Sequence, residues 1–365
     1  MVNKQINGSQ CTIIWHVDDL KISHKDQQVV TSIIKKLDEK YGDIMPLSVS
    51  RGKVHEYLGM VFDYTVHGQV KITMCQYINE RIKHAPQIYK EGIGGSNPAP
   101  MHLFNIRDAN HKDTVLLSKN EKEEYHSLKA KCLYLSKRER PNIQQSIAFH
   151  CTRVQNPDED DQKKLGKTIK YLMETAHLPL ILSMDKRGIA EWWVDALFAI
   201  HDDMRSRTGA TGSLGRGSFY AASSKQKIMA ASSTEAELVG VADTLPKILW
   251  CRLFLEDQGC TVEDVYVYQD NQSAILLEKN GMRSVGKGTR HIKIKYFFVT
   301  EKLKNQELQV IYCPTKEMLG DFFTKPIQGS FFIAHRDNVL GINKTDYPLY
   351  KKEYAEFVQN IIKID

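Results

Sequence analysis

The feature that most restricts the fold is the order of periodicities in the C-terminal half of the chain. EWWVDA reads as a strand, the stretch around Gly215-Arg216-Gly217 as a hairpin, and Ser233 to about Asp257 as one long helix. Strand VYVYQD follows, then a basic segment, then strand ELQVIYC and a short helix through Asp321. Three strands followed by alternating helix and strand suit a mixed sheet covered by helices, an α/β (α+β overall) fold class.

Upstream, CTIIWHVDDLKIS reads as two short strands meeting at Val17-Asp18-Asp19, followed by a helix through Val30, Ile33, Ile34, Leu37 and Tyr41. KVHEYLGMVFDY and QVKITM read as two strands joined across His67-Gly68, then a helix from about Cys75 to Tyr89, with GIGGSNPAP as a linker. From about Ser118 to Ala176 the pattern is helical, broken at Arg140-Pro141 and Asn156-Pro157. Residues from about Gly329 onward carry no clear period and are expected to form a peripheral tail.

Composition excludes whole classes. The chain has 365 residues, 42% hydrophobic and 26% charged, which rules out whole-chain disorder. No apolar run approaches the roughly 18 residues of a membrane span, and MVNKQINGSQ lacks the basic and apolar regions of a signal peptide. A soluble, intracellular protein is expected. The seven cysteines include no CxxC pair, so neither a disulfide framework nor a zinc ribbon is supported.

Four acids draw attention. Asp195 closes strand EWWVD, Asp270 closes VYVYQ just before a helix, Glu237 lies in the first turns of the long helix, and Asp321 lies in the short final one. Carboxylates gathered from separate segments at strand ends suit a pair of Mg²⁺ ions about 4 Å apart, with Mn²⁺ as a substitute. Each acid has a simpler reading. Asp270 could cap the following helix, Glu237 could complete a capping box with Thr234, and Asp195 and Asp321 could be surface acids.

SSTEAELVGVAD, YQDNQSAILLEKN, TRHIKIKYFFVTEK and CPTKEMLGDFFTKP strongly resemble the ribonuclease H domain of copia-type LTR retrotransposon polyproteins. WHVDDL resembles the reverse-transcriptase YVDDL motif, EYLGMVFDY the strand after it, and YLSKRERPNI the connection segment before the nuclease. The likeness runs from about Cys11 to Ile327. It implies a ribonuclease H-like mixed sheet flanked by helices over 187–328, preceded by a truncated palm and thumb remnant (1–105) and a helical connection (106–186), and followed by the tail (329–365). It also implies that Asp195, Glu237, Asp270 and Asp321 are catalytic and metal-binding, cutting the RNA strand of RNA–DNA hybrids. Glu235 competes with Glu237, because both flank the face made by Leu238, Val241, Ala242 and Leu245. Many family members outside the copia type carry a histidine in the loop before the last acid; this chain has none between Tyr312 and Asp321.

The charge excess of +6 is local. Arg283 to Lys304 holds seven basic residues and one acid, which accounts for all of it. Read as a helix from about Arg290, this segment groups Arg290, Lys293, Phe297 and Lys304 within roughly 60° of one another, a cationic strip with an aromatic that suits a phosphate backbone. The simpler reading is a solvated face whose lysine stems cover apolar surface.

Asp18 and Asp19 at a hairpin tip suit a metal-dependent nucleotidyl-transfer site, but the palm's further aspartate and the fingers would lie before them. The expectation is the C-terminal part of a polyprotein, or a truncated copy, that does not extend a primer by itself. The upstream polymerase half is the expected protein partner, and a cytoplasmic replication particle or the nucleus the expected location. Two alternatives stand beside the nuclease: a non-catalytic nucleic-acid-binding remnant, with VDALFAIHDD and Gly320 as departures from the pattern, and an integrase-like relative. The integrase is disfavoured because the Glu-bearing helix follows the three strands directly.

Overall fold

The computed structural model describes residues 1–44, 46–91, 94–107, 114–185, 187–281 and 298–362. It is a mixed α/β protein with three sheets.

Strands β1 (Val2–Ile6), β2 (Ser9–His16) and β3 (Asp19–Ser23) form an antiparallel sheet in that order. Asn7 and Gly8 make the first turn with left-handed φ of 53° and 70°, as an Asn-Gly hairpin requires. Helix α1 (Gln27–Tyr41) starts where the Asp26 carboxylate accepts the Gln28 amide. KVHEYLGMVFDY is two strands rather than one. Leu58 and Gly59, both at positive φ, turn the chain between β4 (Val54–Tyr57) and β5 (Met60–Asp63). After β6 (Gln69–Thr73), the helix expected to reach Tyr89 is only α2 (Cys75–Tyr77) and a π turn, Ile78–Ile82. Pro86, extended at ψ 150°, ends it and leads into a 3₁₀ turn at Gln87–Tyr89.

Helices α3 (Lys119–Ser136), α4 (Gln144–Thr152) and α5 (Glu159–Glu174) follow, with breaks between them at the two expected places. Capping boxes start α3 (Ser118 with Glu121) and α5 (Asp158 with Asp161).

The remaining elements in order are β7 (Leu180–Met184), β8 (Ile189–Leu197), β9 (Arg207–Ser213), β10 (Gly215–Arg216), β11 (Ser218–Lys225), α6 (Ser233–Asp257), β12 (Asp264–Gln269), α7 (Gln272–Asn280), α8 (Phe298–Lys304), β13 (Gln309–Tyr312), α9 (Asp321–Thr324), α10 (Gly329–Leu340) and α11 (Tyr347–Ile362). The second sheet runs β10-β7-β6-β5-β4. Strand β7 pairs with β6 on one side and β10 on the other. Boundaries at 105 and 186 therefore cut across a sheet, and the three segments share it instead of standing apart.

The third sheet has the order β11-β9-β8-β12-β13, with β8, β9 and β11 antiparallel and β8, β12 and β13 parallel. Ala190, Trp192 and Val194 of β8, with Val265 and Val267 of β12, bury one face against Leu238, Val241, Leu245 and Ile248 of α6. Strand alternation turns Glu191, Trp193 and Asp195 to the other face. Helix α9 closes on that side: a Cβ on Gly209 of β9 would lie 2.7 Å from the Gly320 carbonyl and 2.8 Å from Phe323 Cβ, so this approach requires glycine.

The segment expected as a peripheral tail is part of the core. Phe332, Val339, Leu340 and Tyr350 are buried, and Phe332 and Val339 join Phe322, Phe323, Tyr125 and Ile78 in one cluster. The period is masked in the sequence because polar residues occupy inward positions. His335, Arg336 and Asp337 are buried, Arg336 pairs with Asp337 at 2.8 Å, and the Tyr347 hydroxyl donates to Asp337 at 2.5 Å. All seven cysteines are free thiols.

Candidate metal centre

Strands β8 and β12 lie side by side and run the same way, with Trp193 opposite Tyr268. Their carboxyl ends therefore sit together, the place where sheets of this kind build ligand sites. Asp195, near the end of β8, and Asp270, immediately after β12, project there, and Glu237 enters from the early part of α6. One ligand oxygen from each of these three lies within 4.8 Å of the others, and they are the one such group among the described residues.

The capping questions have local answers. Helix α6 is capped by Ser232, whose hydroxyl accepts the Glu235 amide at 3.2 Å. Glu235 returns to accept the Ala231 amide at 2.7 Å. Glu235 is thus spent on the helix start, two residues before Glu237. Helix α7 is capped by Asn271, which accepts the Ala274 amide at 3.0 Å, so Asp270 is not its cap. Gln269 ties the site together. Its amide nitrogen donates to Glu237 at 3.3 Å, and its oxygen accepts the Asp270 and Asn271 amides at 2.9 and 3.2 Å. The Thr315 hydroxyl donates to Asp270 at 3.1 Å, and the Thr324 hydroxyl donates to Asp195.

Burial and mutual repulsion dominate the electrostatics. Burial first, then the charges on Asp195 and Asp270, push the Glu237 carboxyl well above its usual range. Burial and Asp195 likewise raise Asp270, although the Thr315 hydroxyl and Lys325 pull it down. Among the described residues no lysine or arginine forms an ion pair with Glu237 or Asp270. These three hard oxygen donors, two of them buried and Asp270 half-buried, could hold a metal ion.

Asp321, buried at the start of α9, stands outside the triad. Lys325 holds it at 2.5 Å and also lies 4.0 Å from Asp195. Burial and the neighbouring Asp195 still push Asp321 up to about 7. Because its folded pKa lies above the unfolded one, this group stabilises the metal-free fold below about pH 4, and that contribution is lost as pH rises through about 7. In EDTA, the melting temperature of Asp321→Asn relative to the unaltered protein is expected to rise across that window and level off above it. A difference that stays constant contradicts the arrangement.

The other expected site residues lie elsewhere. Asp18 and Asp19 are exposed at the β2–β3 turn, beside Val17 at a left-handed φ of 55°, and belong to no group of three ligating side chains among the described residues. Lys304 is exposed at the end of α8. Arg290, Lys293 and Phe297 lie outside the described residues. Sequence reading missed Gln269, Thr315, Thr324 and Lys325. The available signals were a glutamine on the inward side of VYVYQ and a lysine four residues after Asp321. The departure at Gly320 is accommodated: a Cβ there would lie 2.8 Å from Asp195 Cβ and 2.9 Å from its amide nitrogen, so the close approach of this loop to β8 needs glycine.

No family model matches the chain. It is 26% identical over 322 residues to the retrovirus-related Pol polyprotein from transposon TNT 1-94 of Nicotiana tabacum, covering 88% of this chain and 24% of that protein. It is 24% identical over 328 residues to the Pol polyprotein from transposon RE1 of Arabidopsis thaliana, covering 88% and 21%. With transposon RE2 of the same plant it shares 27% identity over 195 residues, 52% of this chain and 13% of that protein. The chain spans about a quarter or less of the length of these relatives. No helix among the described residues is long and apolar enough to cross a membrane.

Proposed function

We propose that this chain is part of a retrotransposon Pol polyprotein of the copia type and carries a ribonuclease H-like domain that cleaves the RNA strand of RNA–DNA hybrids. The observation that carries the reading is the cluster of buried Asp195 and half-buried Asp270, at the ends of two parallel strands, with buried Glu237 on the helix that directly follows three antiparallel strands. Similarity to Pol polyproteins over 88% of the chain supports it independently.

Asp195, Glu237 and Asp270 would hold Mg²⁺ or Mn²⁺, with Asp321 as the fourth carboxylate. Bound divalent cations supply charge stabilisation for the attacking and departing oxygens of a phosphodiester. The chain's own residues do the positioning. Gln269 fixes Glu237 relative to the Asp270 backbone, Thr315 orients the Asp270 carboxylate, and Thr324 orients Asp195. The carboxyl of Glu237 is buried beneath these groups, which keeps water from screening it.

The basic segment would bind the hybrid backbone through Arg290, Lys293 and Lys304, with Phe297 available for stacking. Alanine at both Arg290 and Lys293 is expected to weaken hybrid binding and to reduce the slope of log affinity against log salt by about 1 to 2. An unchanged slope excludes these residues from the interface. The nuclease reading itself is tested with labelled hybrid incubated with and without Mg²⁺. Hybrid bound but left uncut in Mg²⁺ would select the non-catalytic reading.

A further inference from the structure

We infer that Lys325 is a positioning residue that bridges Asp321 and Asp195 and occupies the place of a second divalent cation until that cation displaces it. This rests on the metal-dependent nuclease reading and names a control element within the same site.

The first part of the site is already assembled: Asp195, Glu237 and Asp270 each offer an oxygen within 4.8 Å of the others. The fourth carboxylate, Asp321, stands outside that group of three. Asp321 is engaged by Lys325 at 2.5 Å, and the same ammonium lies 4.0 Å from Asp195. It thus sits between the two carboxylates that a second ion would share. A cation of charge +1 there substitutes for one of charge +2, leaving the metal-free cluster partly neutralised.

The side chains differ in freedom. Those of Asp195 and Asp321 are 2% and 5% exposed, fixed by their surroundings, whereas that of Lys325 is 36% exposed. Its long stem can carry the ammonium out to water, so displacement requires no movement of the backbone. Helix α9 also aims a second group at this spot, the Thr324 hydroxyl on Asp195 Oδ2. The helix therefore fixes Asp195 with one residue and counters its charge with the next. The two ions would bind in order, the first to the preformed triad and the second against competition from Lys325.

Titration calorimetry of the full chain with Mn²⁺ alone tests this without any cleavage assay. The unaltered protein is expected to bind in two steps. Lys325→Met should strengthen the weaker step about tenfold and leave the tighter one within about twofold. Lys325→Arg, which keeps the charge, should return the weaker step to its original strength, and Asp321→Asn should abolish it. Circular dichroism of each variant checks the fold, and Lys325→Gln serves if Lys325→Met does not fold. Two steps in the unaltered protein with the weaker one unchanged in the neutral variants would overturn the inference alone. Absence of any Asp270-dependent Mn²⁺ binding would overturn the nuclease reading and this inference with it.

Discussion

Asp270→Asn is expected to reduce Mg²⁺-dependent hybrid cleavage by about 10³-fold, equivalent to about 4 kcal/mol of barrier, while the metal-free protein melts no lower than before. The two halves of this expectation have one cause. Asp270 contributes one of three oxygens gathered within 4.8 Å, and each charge there raises the cost of the others. Removing a charge relieves repulsion in the metal-free state and removes a ligand in the loaded one. The asparagine keeps an oxygen that can accept from Thr315, and Gln269 still accepts the backbone amide at position 270. The loop therefore holds its shape. A variant that melts much lower than the unaltered protein would mean that Asp270 is a structural acid.

Trp192→Ala is expected to cost about 3–5 kcal/mol of stability, the range for emptying a fully buried tryptophan site. Trp192 is 1% exposed and sits on the α6 face of β8. It meets Phe219 edge-on at 5.5 Å and 87°, and Tyr220 at 5.2 Å. Gly212 opposite it has no side chain to spare: a Cβ there would already lie 3.1 Å from the indole. The sheet cannot collapse into the gap, because α6 is held by Leu238, Val241, Leu245 and Ile248 along its length. Denaturant unfolding measures the loss directly. A cost below about 1 kcal/mol would mean that this face is not a packed core.

The two variants concern neighbouring strands, β12 before Asp270 and β8 around Trp192, and they mark what the sequence could and could not convey. Trp192 and Asp195 point to opposite faces of one strand, and EWWVDA carries that alternation openly. The long helix was legible because its apolar stripe is unbroken over many turns. The start of its chemistry was not: Glu235 and Glu237 straddle the same face, and only the cap at Ser232 assigns Glu235 to the helix end. Strand β7 joins β6 from more than 100 residues away, as Gln69 opposite Ser183 shows, and no local period encodes such pairing. Helix α10 was hidden because a buried ion pair, Arg336 with Asp337, interrupts its apolar stripe. Lys325 escaped notice because its meaning depends on Asp195, which reaches it through the fold and not through the sequence.

The most direct measurement uses the full chain with an RNA–DNA hybrid labelled on each strand in turn, alongside single-stranded RNA, in Mg²⁺ and in EDTA. The account predicts cutting of the RNA strand of the hybrid in Mg²⁺, with the DNA strand and the free RNA intact, no cutting in EDTA, and cutting slowed about 10³-fold in Asp270→Asn. Cleavage that persists in EDTA or proceeds undiminished in Asp270→Asn, or a hybrid that is bound in Mg²⁺ and never cut, would contradict it.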